Sequence, residues 1–265
     1  MSLEDKLRSL KSLLKDCSPL AVAFSGGVDS SFLLKTAHDL LGDQVLALTV
    51  DSVFVPRSEL EAAISFCRQN AIRQKLVKID VLSDPVVCSN PPDRCYHCKR
   101  SIFSKILGEA QSSDFLIVAD GSNADDAGDY RPGMRALREL GIRSPLREAG
   151  LSKTEIRELS RQMGLNSWDK PSMACLASRV AYGESLTADK LHAVEKAEDL
   201  IHEQGILQCR VRVHGSIARI EIPPDEIPVF YENRDAVIEL LKSLGFTYVT
   251  LDLEGFRSGS MNLIL

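Results

Sequence analysis

At 265 residues, with 44% apolar and 26% charged side chains, the chain is long enough for one sizeable core and a smaller second unit. A net charge of −5 argues against a general nucleic-acid-binding surface, and no apolar run is long enough to span a bilayer. Seven cysteines follow an N-terminus, Met1-Ser2-Leu3-Glu4-Asp5, without a secretory pattern, so a cytoplasmic protein with thiols, ligands or nucleophiles rather than disulfides is expected.

Strand and helix signals alternate through the first ~165 residues, as βαβ units do. An amphipathic helix is expected over 4–16, with Leu7, Leu10, Leu13 and Leu14 on one face. Strand 20–24 leads into helix 29–41, and strand 45–50 ends at Asp51-Ser52. Ser58 and Glu61 have capping-box spacing at the start of helix 57–70. Strand 75–80, helix 98–110 and strand 115–119 follow, the last running into Asp120-Gly121-Ser122-Asn123. Helix 132–140, a short segment 143–145 and helix 152–163 close an α/β domain over 1–167. A linker over 168–186 carries Cys175. Helix 187–204, a hairpin of strands 209–214 and 218–222, helix 225–244, strand 248–253 and loop 256–259 make a small α+β domain over 187–265.

Ser25-Gly26-Gly27-Val28-Asp29-Ser30 joins the first strand to its helix. Gly26 and Gly27 can turn successive N–H groups onto one anion, the helix dipole adds positive potential, and Ser25 and Ser30 supply hydroxyl donors. A side chain at position 26 is expected to enter the anion's space. The lysine of the GxxxxGK(S/T) loop is missing. The string looks like the PP-loop of the ATP pyrophosphatases, which hold the pyrophosphate of ATP and transfer AMP to a substrate oxygen. A parallel sheet with helices on both faces, of the adenine nucleotide alpha hydrolase type, is the fold this resemblance implies.

Ligands of open parallel sheets bind beyond the carboxyl ends of the strands. The loop at 25–30, Thr49–Ser52 and Asp120–Asn123 are such ends, with Asp125, Asp126 and Asp129 just beyond. Carboxylates beside a triphosphate suit Mg²⁺, while as ordinary loop residues they would cap helices or face water. Cys17, Cys67 and Cys209 have packing contexts, and Cys88 lies in a loop. Cys95-Tyr96-His97-Cys98, read as a loop after Pro91-Pro92, could chelate a metal or cluster or form a redox pair. Cys175, flanked by Lys170 and Arg179, has cations that would favour a thiolate nucleophile.

Four strings extend the pattern: the loop 24–30, Arg94-Cys95-Tyr96-His97-Cys98-Lys99, Asp120 to Asp126 with Asp129-Tyr130-Arg131-Pro132-Gly133, and Lys170-Pro171 through Ser178-Arg179. With Arg219-Ile220-Glu221 and Gly255-Phe256-Arg257, they resemble the LarE family of ATP-dependent sulfur transferases of nickel-pincer cofactor synthesis, over almost the whole chain. The resemblance implies adenylation of a carboxylate of pyridinium-3,5-biscarboxylic acid mononucleotide. ATP would lie on Ser25, Gly26, Gly27, Asp29, Ser30, Asp51 and Gly121. Asp29, Asp125 and Glu221 are the implied metal carboxylates, and Arg210, Arg212 and Arg257 candidates for the substrate phosphate, their alternative being a solvated sheet face.

Cys175 would either give up its own sulfur or, with Cys95 and Cys98, hold a 4Fe–4S cluster carrying the transferred sulfide; Cys95 and Cys98 suit zinc equally. The resemblance also implies a homo-oligomer and partners in the pathway, a carboxylase/hydrolase and nickel-insertion proteins. A tRNA thiolase or other PP-loop ligase would want a basic surface or ammonia-handling residues, which this sequence does not offer.

Overall fold

Strand β1 (Leu20–Ala23) sends Leu20 and Val22 into one core and Ala21 into another. Strand β2 (Val45–Asp51) divides in the same way, Val45 and Ala47 against Leu46 and Leu48. Apolar side chains on both faces of these strands let the sheet carry helices on both sides. The computed structural model describes residues 1–127, 132–171 and 174–257. Of the sequence strings above, Asp129, Tyr130, Arg131, Ser172, Met173 and the loop residues 258–259 lie outside them.

Helix α1 (Leu3–Asp16) opens on a capping box between Ser2 and Asp5. After β1 come α2 (Val28–Leu41), β2, α3 (Arg57–Gln69) and β3 (Gln74–Lys78). The short helix α4 (Pro85–Cys88) precedes α5 (Arg94–Gln111), β4 (Ile117–Ala119), α6 (Pro132–Glu139), α7 (Pro145–Glu148) and α8 (Lys153–Gln162). The sheet is parallel in the order β3-β2-β1-β4. One core holds Leu10, Phe32, Leu33, Ala63 and Ile156, and the other Phe103, Ile106, Ala110 and Leu137. Full burial of side chains such as these is worth ~1.5–3 kcal/mol each.

The chain divides into two compact units: Met1–Ile79 with Cys95–Met173, and Asp80–Arg94 with Ala174–Leu265. The second holds α4, α9 (Ala188–Glu203), β5 (Arg210–His214), β6 (Ile217–Glu221), α10 (Ile227–Ser243) and β7 (Tyr248–Leu251). Its sheet runs β5-β6-β7, β5 and β6 as an antiparallel hairpin and β7 parallel to β6.

This division is not the linear one expected. Residues 174–186 join the second unit instead of linking, and residues 80–94 join it from within the first. Their hydrogen bonds give the reason. Buried Asn90 donates its amide to the carbonyls of Val180 (3.2 Å) and Ala181 (2.8 Å) and accepts at its backbone carbonyl from Gly183 N (2.9 Å). Leu186 N donates to Cys88 O (2.8 Å), and the Cys88 thiol returns a bond to Leu186 O. Two local expectations also fail. Pro56, in extended conformation, occupies the cap of α3, so Ser58 lies inside the helix and no side chain caps it. Helix α5 starts at Arg94, whose N–H closes a turn on Pro91 O (2.9 Å), so Cys95 and Cys98 are helical and not in a loop.

Candidate active site

Strands β2 and β3 lie to one side of β1 and β4 to the other, so the order reverses between β1 and β4. Crevices at such reversals are where ligands of open α/β sheets bind. The loop after β1 has Gly26 at φ +76°, and Gly27 is the N-cap of α2, where among the described residues no side chain caps the first-turn N–H groups. Those donors, and the positive end of the helix dipole, are left for an anion. Ser25 and Ser30 hydroxyls stand 3.1 Å apart, and Ser30 Oγ donates to Gly27 O (3.2 Å). After β4, a Cβ on Gly121 would come within 3.0 Å of Ser30 N, so the two loops meet at van der Waals limits. Gly121→Ala is expected to push the glycine loop aside and weaken binding of a nucleoside triphosphate roughly tenfold with the fold retained, read by calorimetric titration beside a thermal melt.

Two of the candidate carboxylates, Asp29 and Asp125, meet one lysine. Lys153, the first residue of α8, donates its ammonium to Asp29 Oδ2 (2.6 Å) and its backbone N–H to Asp125 Oδ2 (2.8 Å). Asp29 Oδ1 is buried and, among the described residues, has no hydrogen-bond partner. Asp120 accepts from the hydroxyls of Ser122 and Ser144, and Asp126 Oδ2 from Asn123 N (2.9 Å), which fixes the turn after β4. Asp51, at the end of β2, pairs with Arg57 (2.7 Å), which also holds the carbonyls of Ser52 and Val55. Lys170, in the first unit, pairs with Glu59 (2.7 Å) and approaches Gly26 O (3.4 Å).

Cys95 and Cys98 stand three residues apart in the first turns of α5, on one face of the helix. Cys95 is exposed and Cys98 half-buried. Between them Tyr96 is buried, its hydroxyl bonded to Glu139 (2.6 Å) and its ring under the Arg135 guanidinium at 3.7 Å. Cys17, Cys67 and Cys209 are buried; desolvation pushes the Cys67 thiol up to about 12 and the Cys209 thiol higher still, which marks them as packing residues. Among the described residues no group of three or more His, Cys, Asp or Glu side chains is gathered as a metal site.

In the second unit Cys175 is exposed and caps the 3-10 turn 176–179. Arg179 is fully buried, and its guanidinium forms a two-pronged pair with Glu198 (2.9 Å each). Its charge is thus tied to a carboxylate, a different part from the thiolate-favouring neighbour expected. Arg210 and Arg212 are buried, not on a solvated face. Arg212 pairs with Glu221 through Nε (3.1 Å) and Nη2 (2.9 Å). Glu221 is fully buried and also takes Arg219 (3.0 Å), which makes it counter-ion to both. Arg210 lies over the Phe256 ring at 5.2 Å, and burial, reinforced by Arg179, lowers its pKa to about 10. An anion beside it would restore the charged form. Arg257 is more open, with Glu254 at 2.6 Å.

Lys153 escaped the sequence reading. A lysine opening a surface helix resembles any other; the signal available was the Ser152–Glu155 capping box, which fixes where α8 starts and hence where Lys153 points.

A family model described as NAD synthase matches residues 3–87, which hold β1, the glycine loop, β2 and β3. Over 265 residues the chain is 40% identical to an uncharacterized protein of Synechocystis sp., covering 99% of each. It is 40% identical over 262 residues to the pyridinium-3,5-bisthiocarboxylic acid mononucleotide synthase of Lactiplantibacillus plantarum, covering 98% of this chain and 95% of that one. The glutamine-hydrolyzing GMP synthase of Clostridium novyi is 28% identical over 233 residues, covering 76% of this chain and 42% of its own length.

Proposed function

Because the chain belongs to the LarE family of PP-loop enzymes, we propose that it uses ATP to convert a carboxylate of pyridinium-3,5-biscarboxylic acid mononucleotide into a thiocarboxylate. The observation that carries this reading is the end-to-end likeness to the synthase of Lactiplantibacillus plantarum, at 40% identity. A substrate carboxylate oxygen attacks the α-phosphorus of ATP, and pyrophosphate departs with the bonding pair. The acyl-adenylate is a good electrophile. The Cys175 thiolate attacks the acyl carbon and AMP leaves, giving a thioester. Loss of the Cys175 Cα proton to a base, with cleavage of Cβ–S, then leaves the thiocarboxylate on the substrate and dehydroalanine in the protein.

The loop N–H groups and the hydroxyls of Ser25 and Ser30 take the pyrophosphate oxygens, with Lys153 and Lys170 adding positive charge at the loop. The buried, unpartnered Asp29 Oδ1 fits a Mg²⁺ ligand, with Asp125 as the second carboxylate; Mg²⁺ is ordinarily held by one or two carboxylates plus phosphates. Bound there, the ion would offset charge growing on the leaving pyrophosphate. Gly121 keeps the crevice wall low, and Asp51 holds Arg57 against the β2 end. Arg210, desolvated beside Arg179, and the more open Arg257 suit the substrate phosphate, while Arg212 is held by Glu221. A 4Fe–4S cluster held by Cys95, Cys98 and Cys175 is the competing sulfur source, and the spacing of Cys95 and Cys98 on one face of α5 suits it. A homo-oligomer, and exchange with the carboxylase and nickel-insertion steps, belong to the same reading.

Incubation with Mg-ATP and, separately, the pyridinium mononucleotide, simple carboxylates or tRNA tests it. Pyrophosphate and a thiocarboxylate product are expected with the pyridinium mononucleotide alone. Pyrophosphate release that depends on tRNA would move the protein to the tRNA thiolases.

A further inference from the structure

The turn that carries Cys175 is gripped from below by buried guanidinium groups. Arg179 Nη1 donates to the carbonyls of Ala174 (2.8 Å) and Cys175 (3.3 Å) and to Ser178 Oγ (3.0 Å). Arg94 Nη1 donates to Ala177 O (2.9 Å), and Arg212 Nη1 to Ser178 O (2.9 Å). The carbonyls of 174, 175, 177 and 178 therefore each accept from an arginine that is at most 5% exposed. Cys175 O takes two further bonds, from Ser178 N (2.9 Å) and Ser178 Oγ (2.7 Å). Each arginine is anchored in turn: Arg179 by Glu198, Arg212 by Glu221, and Arg94 by Asn90. Glu198 reaches one step further, accepting from Val211 N (2.9 Å) and so fixing Arg179 to the backbone of β5.

A 3-10 turn of this length has poor internal bonding and would not by itself hold one shape. Hydrogen bonds from ionised donors are short and about twice as strong as neutral ones, and a planar fork fixes direction as well as distance. Using arginines whose charges must be matched by buried carboxylates is a costly way to fix a turn, since hydrophobic packing would do as well for stability alone. What the arrangement supplies is an exposed thiol on an immobile backbone.

We propose that Arg179, locked by Glu198, is a positioning residue that holds the backbone of Cys175 so that its thiol meets the activated acyl group in one geometry. The inference rests on the reading of Cys175 as the sulfur-bearing nucleophile. Arg94 and Arg212 support the same turn from the second and third sides.

The test uses the full chain with Arg179→Met, Arg179→Lys and Glu198→Gln, the last nearly isosteric and so least exposed to failure of folding. Single-turnover sulfur transfer from the preformed adenylate is expected to fall on the order of a hundredfold, the usual consequence of a small misplacement of a reacting group. KM for ATP and, with the pyridinium mononucleotide saturating, the rate of pyrophosphate release should stay at wild-type values, because adenylation precedes and does not use the Cys175 thiol. Arg179→Lys, which keeps the charge and loses the fork, should restore only part of the rate. In the unliganded protein, hydrogen exchange at the amides of Ser178 and Val180, which bond Cys175 O and Ala177 O, should speed up in all the variants. Transfer at the wild-type rate in Glu198→Gln, or unchanged exchange at those amides, overturns the proposal. So does a loss of pyrophosphate release parallel to the loss of transfer, which would mean general damage. Failure of the functional reading looks different: Cys175→Ala would still transfer sulfur, while the exchange measurement would go on reporting on the clamp.

Discussion

Cys175→Ala abolishes sulfur transfer and leaves ATP-dependent pyrophosphate release intact: that is the expected result on either sulfur source. Cys175 is exposed at the cap of a short turn in the second unit, whereas the glycine loop, Lys153 and the β4 loop all belong to the first. Alanine in place of an exposed cysteine removes no core packing, so the fold should be unaffected. The source is then decided by mass. A sacrificed Cys175 leaves each wild-type chain lighter by one H₂S after a single turnover, the loss confined to the peptide holding Cys175. If the thiols instead hold a sulfide-bearing cluster, chain mass is unchanged, and Cys95→Ala or Cys98→Ala should remove iron and turnover together. Our reading follows the sacrificial route. An unchanged mass with iron retained after anaerobic purification would replace it.

Gly26→Val is expected to cost more than a hundredfold in ATP affinity, through displacement of the loop and not through a side chain occupying the nucleotide's place. The added Cβ would meet Ala63 Cβ at 3.2 Å, on the buried face of α3. The backbone there has φ +76°, where a β-branched residue is a genuine outlier, costing on the order of 1–2 kcal/mol before any crowding. Gly27 is the control. Among the described residues its Cβ would meet only Ser25 Oγ, at 3.6 Å, with φ −76°, so Gly27→Ala should melt like the wild type. Calorimetric titration with Mg-ATP beside thermal melts checks both, and undiminished ATP affinity in Gly26→Val would move the nucleotide away from this loop.

The parts legible in the sequence were those written in local pattern. Leu20–Ala23 and Val45–Asp51 are short apolar runs bounded by turn residues, and the loop between β1 and α2 has its glycines where N–H groups must converge. The hairpin at Arg210–Glu221 alternates, but its pattern could not tell a wet face from a buried one. Arg210 and Arg212 read as surface residues because partners that make their burial tolerable, among them Glu221, Phe256 and the carbonyl of Ser178, are remote in sequence. Residues 80–94 were illegible for the same reason: rich in Asp, Ser and Pro, they look like a loop, and what orders them is Asn90 bonding to carbonyls 90 residues away. The cap of α3 failed at closer range, since Pro56 already supplies the extended residue that Ser58 was expected to be.

That placement of residues 80–94 sets an order of events on the ribosome. Chains emerge N-terminus first, and domains tend to fold as they appear. Here the backbone that receives Asn90 and Arg94 is made 91 and 83 residues after them. The first unit can close its sheet early, around a loop whose polar groups must wait in water. The pedestal under Cys175 is completed only after the whole first unit has been made, so the reactive thiol is mounted on an enzyme whose nucleotide site is already built.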